Sequence, residues 1–293
     1  MNKNVKKKLL LDLIILVVLA IAFGVSMIWS RTIELATGLL YQVPADSVDE
    51  SEVVTLKSSV RVSADGGSGG LYIDYLDVGQ GDCTIIRLPD GKTMIIDAGK
   101  GYNNVKSTIT SFIDTNFDKD FTYFDYAILT HPDDAHCGSW GYGLDKYPAR
   151  VCYRPNVEAT NGGYSDPAGD LPKDKSSAAY KTAVQAMYKE IDGEPNVVYI
   201  TDPSDERQTI REGEGNDKYT FTFYSPLSTS YTDDNDYSPI MILSYRGLNF
   251  AFSGDAEKKN EKEFVERVES ARTDGVTDKY DIFTDDYTVN AIK

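Results

Sequence analysis

A nine-residue stretch, 130–138, constrains this chain more than any other, because it holds the only two histidines of 293 residues. Four potential metal ligands fall within six of its positions: His131, Asp133, Asp134 and His136. Residues 125–129, just before it, are predicted to form a short buried strand, so these side chains lie at its carboxyl end, a usual place for a site in a layered α/β protein. Imidazole and carboxylate groups are ligands for zinc and similar divalent ions. The alternative is an acidic surface turn with two incidental histidines.

Two further aspartates follow predicted strands in the same way. Asp97 comes after Ile96, and Asp255 comes after the strand predicted to end at Phe252. Ligands gathered from the ends of separate strands are what a metal centre on a rigid scaffold requires. Each aspartate taken alone has a simpler interpretation as a turn or helix-capping residue, and residues 253–255 before a helix are a reasonable N-cap.

Beyond residue 70, the sequence alternates between short apolar segments and segments with helical spacing. Strands are predicted at 71–78, 83–88, 93–96, 126–129, 149–153, 197–200, 219–224, 239–245, 248–252, 281–283 and 288–293. Helices are predicted at 105–117, 177–191 and 257–272. Hairpins at the front and mixed elements afterwards predict an α/β domain in which helices cover sheets.

The amino terminus predicts a membrane anchor. A basic tail at 1–8 precedes an apolar run at 9–29, which is long enough to cross a bilayer as a helix. The lysines before this run place the tail in the cytoplasm and the rest of the chain outside, as a single-pass protein. A cleaved signal peptide, giving a secreted form, is the less favoured alternative. Residues 30–70 are predicted as a flexible extracellular linker, and 71–293 as the folded domain.

Charge and cysteine content narrow the class of protein. Beyond residue 32 the chain carries 25 basic and 45 acidic residues, a net charge of −20, so sequence-independent binding to nucleic acid receives no electrostatic help. Three cysteines are too few for a disulfide framework. An oxidising compartment would permit a Cys137–Cys152 bridge, whereas Cys83 lies in an apolar strand and is predicted to pack in the core.

Four motifs in order resemble the metallo-β-lactamase fold, and most closely the branch found in the extracellular domain of the ComEC DNA-uptake proteins and their stand-alone relatives. The motifs are Asp-Val-Gly-Gln-Gly-Asp at 77–82, Ile-Ile-Asp-Ala-Gly at 95–99, the His-x-Asp cluster at 130–136, and Ser-Gly-Asp at 253–255. The resemblance covers about residues 71–293. It implies a four-layer αββα sandwich with a metal site at one edge between two sheets. Members of this fold are typically zinc- or manganese-dependent hydrolases, and many cleave phosphodiesters.

The resemblance also assigns roles, residue by residue. It implies that His131 and Asp133 bind a first metal ion, that His136 binds a second, and that Asp255 bridges the two. It further implies that Asp97 and Asp82 support the loop beneath the ions. On this basis we expect one or two Zn²⁺ or Mn²⁺ ions, with a metal-bound hydroxide attacking the substrate.

Two departures from the pattern leave a second hypothesis open. The branch places an aspartate directly before the final histidine, to bind the second metal and position the attacking water; here that residue is Ala135. Asp134 stands one position before that place. Asp134 and Asp255 are the two candidate catalytic carboxylates. The branch also continues beyond a strand like 288–293 into a His-His-Gly-Ser motif, so we expect a truncated domain. The first hypothesis is a membrane-anchored phosphodiesterase that acts on small-molecule or cell-surface substrates, with DNA less favoured as a substrate. The second hypothesis is a catalytically impaired binding module.

Overall fold

The computed structural model describes residues 53–56, 59–63, 69–141, 146–155, 178–187, 197–200, 208–228, 231–273 and 291–292. The chain divides into two units, Met1–Val43 and Pro44–Lys293, and every described residue belongs to the second. The predicted basic tail and membrane helix therefore lie outside the described residues. Among the helices that are described, none is long and apolar enough to cross a membrane.

The first sheet has eight strands that are neighbours in chain order. Its strands are β1 (Val53–Leu56), β2 (Ser59–Ser63), β3 (Gly70–Tyr75), β4 (Thr84–Arg87), β5 (Thr93–Ile96), β6 (Phe124–Ile128), β7 (Ala149–Arg154) and β8 (Val197–Tyr199). Pairing is antiparallel from β1 to β5 and parallel from β5 to β8. All four residues of β5 are buried, as expected for a strand covered on both faces.

The second sheet has five strands. They are β9 (Thr209–Glu212), β10 (Tyr219–Ser225), β11 (Ile240–Tyr245), β12 (Leu248–Phe252) and β13 (Ala291–Ile292), in the order β13-β12-β11-β10-β9. All pairings are antiparallel except that between β12 and β13. Aromatic side chains join the two sheets: the Tyr126 and Phe221 rings lie 5.1 Å apart, and the Tyr153 and Phe223 rings 4.9 Å apart.

Helices cover the outer faces of both sheets. Within the described residues the α-helices are α1 (Asn103–Asn116), α2 (Asp134–Cys137), α3 (Ala178–Met187) and α4 (Lys258–Thr273). Buried residues of α1 and α3 share one core with β4 to β7, and Phe264 and Val268 of α4 pack against β10 to β12. In α1 the buried residues Val105, Ile109 and Ile113 recur every four positions, so one helical face is apolar. This arrangement is an αββα sandwich and confirms the predicted layers.

One sequence prediction is corrected by the structure, and one open possibility is decided. Residues 30–70 contain β1 and β2, and β2 pairs with β3 from Ser59↔Asp74 to Ser63↔Gly70, so this part of the range belongs to the sheet rather than to a linker. The Cys137–Cys152 bridge that an oxidising compartment would permit is not formed in this structure, in which all three cysteines are free and buried. The Cys137 thiol instead donates a hydrogen bond to the carbonyl oxygen of Pro132, and Cys83 packs in the core as predicted.

Candidate metal centre

The strand ends that were predicted to carry ligands meet at one edge of the sandwich. β5 and β6 are parallel neighbours with Ile96 opposite Ile128, so Asp97 and Thr130 leave the sheet side by side. The Asp97 N–H donates to the carbonyl oxygen of Ile128 over 2.9 Å. Asp255 reaches the same place from the end of β12 in the second sheet. The loops at this edge therefore bring together side chains that are far apart in sequence.

Asp97 organises this edge from a buried position. Its backbone adopts a left-handed conformation with φ 55°, which aspartate tolerates better than most residues. Oδ1 accepts the Thr130 N–H over 2.9 Å, and Oδ2 accepts the Thr130 hydroxyl over 2.6 Å. Oδ2 also lies 2.8 Å from Nδ1 of His136. One carboxylate therefore holds both the start of the histidine loop and its second histidine.

His136 is presented by the short helix α2, and its imidazole is buried. Because Nδ1 faces the Asp97 carboxylate, its proton lies there and Nε2 is directed away from it. Nε2 lies 3.3 Å from Oδ2 of Asp255. The rings of His131 and His136 are 4.1 Å apart between centroids, so both imidazoles border one small space.

His131 is completely buried, and its two ring nitrogens have different surroundings. Nδ1 lies 3.0 Å from the Thr130 hydroxyl oxygen and 3.1 Å from the Ser238 hydroxyl oxygen. Nε2 has no hydrogen-bond partner among the described residues, although it faces Oδ2 of Asp133 at 3.8 Å and Oδ2 of Asp255 at 3.9 Å. A buried polar atom without a partner costs about 1–3 kcal/mol, so this nitrogen is suited to a bound ion.

Asp255 is positioned by a tight turn. Gly254 has φ +51°, and a Cβ at this residue would lie 3.0 Å from Cβ of Thr130 and 3.1 Å from the Ser238 hydroxyl oxygen. Glycine is therefore favoured by both the backbone conformation and the close approach. The Asp255 N–H donates to the Ser238 hydroxyl over 3.2 Å, and the Asp255 side chain is 44% exposed. The carboxylate thus faces the imidazoles on one side and solvent on the other.

The glycine-rich motif at 77–82 packs under the histidine loop. A Cβ on Gly81 would lie 2.0 Å from the carbonyl oxygen of Ala135, so only glycine permits this contact. The Asp82 N–H donates to that carbonyl, and the Asp82 carbonyl accepts the Gly99 N–H. The Ala98 N–H donates to the carbonyl of His136. Three of the four sequence motifs are therefore joined through their backbones.

Comparison with known families identifies the fold. Residues 76–292 match the family described as the metallo-β-lactamase superfamily. The chain belongs to the metallo-β-lactamase superfamily. Members of this superfamily bind metal ions, typically zinc, and membership indicates a metal-dependent hydrolase.

Solved structures of this superfamily are similar to the chain at low identity. They include a Cronobacter sakazakii metallo-β-lactamase with a HARLDQ motif (mutant S60), 13% identical, covering 69% of each chain with a TM-score of 0.36. They also include the Rm3 metallo-β-lactamase, 12% identical, covering 70% of this chain and 71% of that chain with a TM-score of 0.36. The metallo-β-lactamase fold protein YhfI from Bacillus subtilis is 12% identical, and the match covers 59% of this chain and 54% of that chain with a TM-score of 0.33. No curated protein matches the sequence.

The structure separates the predicted site residues of this metallo-β-lactamase-fold chain into groups. His131, His136 and Asp255 each offer one ligand atom, and these atoms lie within 4.8 Å of one another. Asp133 is outside this group but faces His131. Asp134 is the first residue of α2, and its side chain is exposed. It is not brought into the group, because successive residues of a helix direct their side chains to different sides. The Asp97 carboxylate contacts His136, and the Asp82 backbone contacts Ala135 and Gly99.

Sequence reasoning missed two residues at this edge. Ser238 lies just before β11 and contacts both His131 and Asp255, but it precedes a strand, whereas the predicted ligands follow strands. Asp234 lies close enough to the site that burial, followed by repulsion from Asp133 and Asp233, raises the pKa of its carboxyl group. With Asp133 and Asp255 it gives the opening of the site a negative charge, which favours cations.

A cavity of about 860 Å³ opens at the other end of the strands and is not part of this site. It lies beside the start of β5 and β6, the 88–91 turn and the residues after α1, and none of the predicted site residues lines it. It gathers no imidazole and therefore offers no comparable ligand set. The candidate site is therefore the edge of the sandwich where His131, His136 and Asp255 meet.

Proposed function

We propose that this chain is a membrane-anchored, extracellular hydrolase of phosphodiesters that uses Zn²⁺ or Mn²⁺. The observation that carries the proposal is Nε2 of His131, a buried nitrogen without a hydrogen-bond partner among the described residues, beside His136 and Asp255. Two imidazoles and a carboxylate form a three-ligand set of the kind found in catalytic zinc sites, which keep a further position for water or substrate.

The chain's own residues are suited to a hydrolytic site. His131 and His136 would hold the ion from the buried side, and Asp255 from the exposed side. When bound, a divalent ion supplies Lewis acidity toward a phosphoryl oxygen and lowers the pKa of water. Asp133, whose side chain is 55% exposed, lies at the rim, where it can accept a proton or orient water. Asp97 fixes His136 from behind through the contact to Nδ1.

The sequence supports the finer parts of this proposal. The apolar run at 9–29 after a lysine cluster supports an anchored protein whose folded domain lies outside the cell. The four ordered motifs support the ComEC-like branch and hence a phosphodiester substrate. The net charge of −20 beyond residue 32 disfavours long DNA and favours a small-molecule or cell-surface phosphodiester.

A second candidate function has one observation in its favour. Ala135 occupies the position where the branch has a metal-binding aspartate, and the described residues gather three ligands, which suffice for one ion. A chain that holds a single ion without the water-positioning carboxylate would act as a binding or accessory module. Turnover distinguishes this candidate from the hydrolase, because both bind metal.

The test uses the chain of residues 1–293, purified in detergent and stripped of metal, with zinc or manganese then added back. We expect metal-dependent hydrolysis of bis(p-nitrophenyl) phosphate, and its loss in Asp255→Asn. Asp120→Asn, which removes the same charge at an exposed position beside the distant cavity, should retain wild-type turnover. Metal binding without turnover would support the accessory module. Failure to bind either metal would contradict both functions.

A further inference from the structure

We propose that the hydroxyl groups of Thr130 and Ser238 form a cradle around Nδ1 of His131 and fix this imidazole as the Nδ1–H tautomer, leaving the Nε2 lone pair for an ion. The part of this inference that concerns the ion rests on the proposed function. The tautomer is a property of the protein itself and can be measured without metal.

The argument begins with the single proton of the Thr130 hydroxyl. That hydroxyl donates to Oδ2 of Asp97 over 2.6 Å, and a carboxylate without a proton can only accept. The proton of Thr130 is therefore already used. Toward Nδ1 of His131, 3.0 Å away, the Thr130 oxygen can only accept, and this contact favours a hydrogen on Nδ1. The Ser238 hydroxyl, 3.1 Å from Nδ1, would donate to that nitrogen only in the opposite tautomer, which would leave the Thr130 oxygen facing a lone pair.

Neutral imidazole has one N–H, and its other nitrogen then carries a lone pair. With the hydrogen on Nδ1, the lone pair of His131 is on Nε2, the atom that has no hydrogen-bond partner among the described residues. Asp97 thus contacts both histidines: it accepts the Nδ1 hydrogen of His136 directly, and it acts on the tautomer of His131 through the Thr130 hydroxyl. Proteins commonly orient a histidine ligand through a hydrogen bond to the ring nitrogen that does not bind the metal, and this bond fixes the tautomer.

Ser238 closes the other side of the cradle. Its hydroxyl oxygen lies 3.1 Å from Nδ1 of His131 and accepts the Asp255 N–H over 3.2 Å, so one oxygen adjoins two members of the ligand group. Ser238 is held in turn by Asn260 of α4, which is fully buried and donates from Nδ2 to the carbonyl oxygens of Asp236 and Ser238 over 2.7 Å each. These contacts make Thr130 and Ser238 positioning residues.

The experiment is nitrogen NMR of the ¹⁵N-labelled, metal-free chain of residues 1–293, purified without a histidine tag. The chain has two histidines, so four ring-nitrogen signals cover both, and His131→Gln assigns them. Across a pH series, neutral His131 should show a protonated Nδ1 and an unprotonated Nε2. An Nε2–H tautomer in the wild-type protein would overturn the inference, whether or not zinc binds.

Variants test the cradle itself. Thr130→Val keeps the shape of the side chain without its oxygen, so the Nδ1–H preference should be lost and zinc should bind about 10–100-fold more weakly. Thr130→Ser restores the hydroxyl and should restore both properties. Ser238→Ala should keep the tautomer but weaken zinc binding severalfold, which also provides a test if Thr130→Val does not fold. Wild-type tautomer and zinc affinity in Thr130→Val, or wild-type affinity in Ser238→Ala, would contradict the role assigned to that residue.

Discussion

Oδ2 of Asp97 lies 2.8 Å from Nδ1 of His136, so the carboxylate at the end of β5 is directly behind the imidazole presented by α2. These residues are 39 positions apart in sequence. The parallel pairing of β5 with β6 brings them together, because it places the two strand ends next to each other. The candidate metal centre is thus a consequence of sheet topology.

Asp97→Asn should weaken zinc binding by about 10–100-fold, because an amide cannot carry the charge that holds His136 and Thr130. Asparagine tolerates the left-handed backbone at φ 55°, so the fold should persist. Chelator competition measures the zinc affinity, and thermal unfolding monitors the fold. An unchanged affinity in a folded variant would show that Asp97 does not support the ligand.

Gly254→Ala should impair the site as well as the fold. The positive φ penalises any side chain by about 1–2 kcal/mol, and the added Cβ would also meet Thr130 and Ser238. Gly215→Ala is the matched control, since its φ is +58° with nothing within 4 Å of the added Cβ. Urea unfolding should show a loss of stability in both variants, whereas zinc affinity should fall only in Gly254→Ala. Equal zinc affinities would mean that the turn does not position Asp255.

Ala135→Asp tests the departure from the branch pattern. The backbone carbonyl at 135 accepts the Asp82 N–H, and this bond does not depend on the side chain. Restoring the carboxylate should raise phosphodiester turnover by about tenfold or more and raise the number of ions bound per chain. Ala135→Asn is the control of similar size without charge. If both variants match the wild type, Ala135 does not limit the site.

Zinc binding should release protons. Burial opposes protonation of His136, but the carboxylates of Asp97 and Asp255 outweigh it and raise its pKa to about 10 in the metal-free protein. At neutral pH this imidazole therefore carries a proton that zinc must displace, so zinc affinity should fall as pH falls, by about tenfold per unit from this group. Calorimetry in two buffers of different ionisation enthalpy counts the protons. His136→Asn should abolish this release, and a wild-type chain that releases none would contradict the assignment.

The interior of the fold was predictable from sequence, and its edges were not. β5 and β12 match their predicted bounds, because buried strands are continuous apolar runs between turns. β9 was missed because Thr209–Glu212 is a short edge strand with a single apolar residue. β2 was missed because its neighbourhood is polar and glycine-rich, although Val60 and Val62 alternate with polar residues as in a strand.

The candidate site was predictable where strand ends carry ligands, and less so where geometry decides. Spacing alone singled out His131, His136 and Asp255, which the structure brings together. Spacing could not separate Asp134 from Asp133, because helix α2 begins between them and turns adjacent side chains apart. Ser238 could not be found, since its contact with His131 spans 107 positions and depends on how the two sheets stack.

The most direct test of the candidate metal centre is elemental analysis of the chain of residues 1–293 after equilibration with zinc and removal of unbound metal. We predict at least one zinc ion per wild-type chain, and loss of most of it in His131→Ala and in Asp255→Asn. Asp120→Asn should retain the wild-type content. A wild-type chain without zinc or manganese, or a His131→Ala chain with full zinc content, would contradict the assignment of this site.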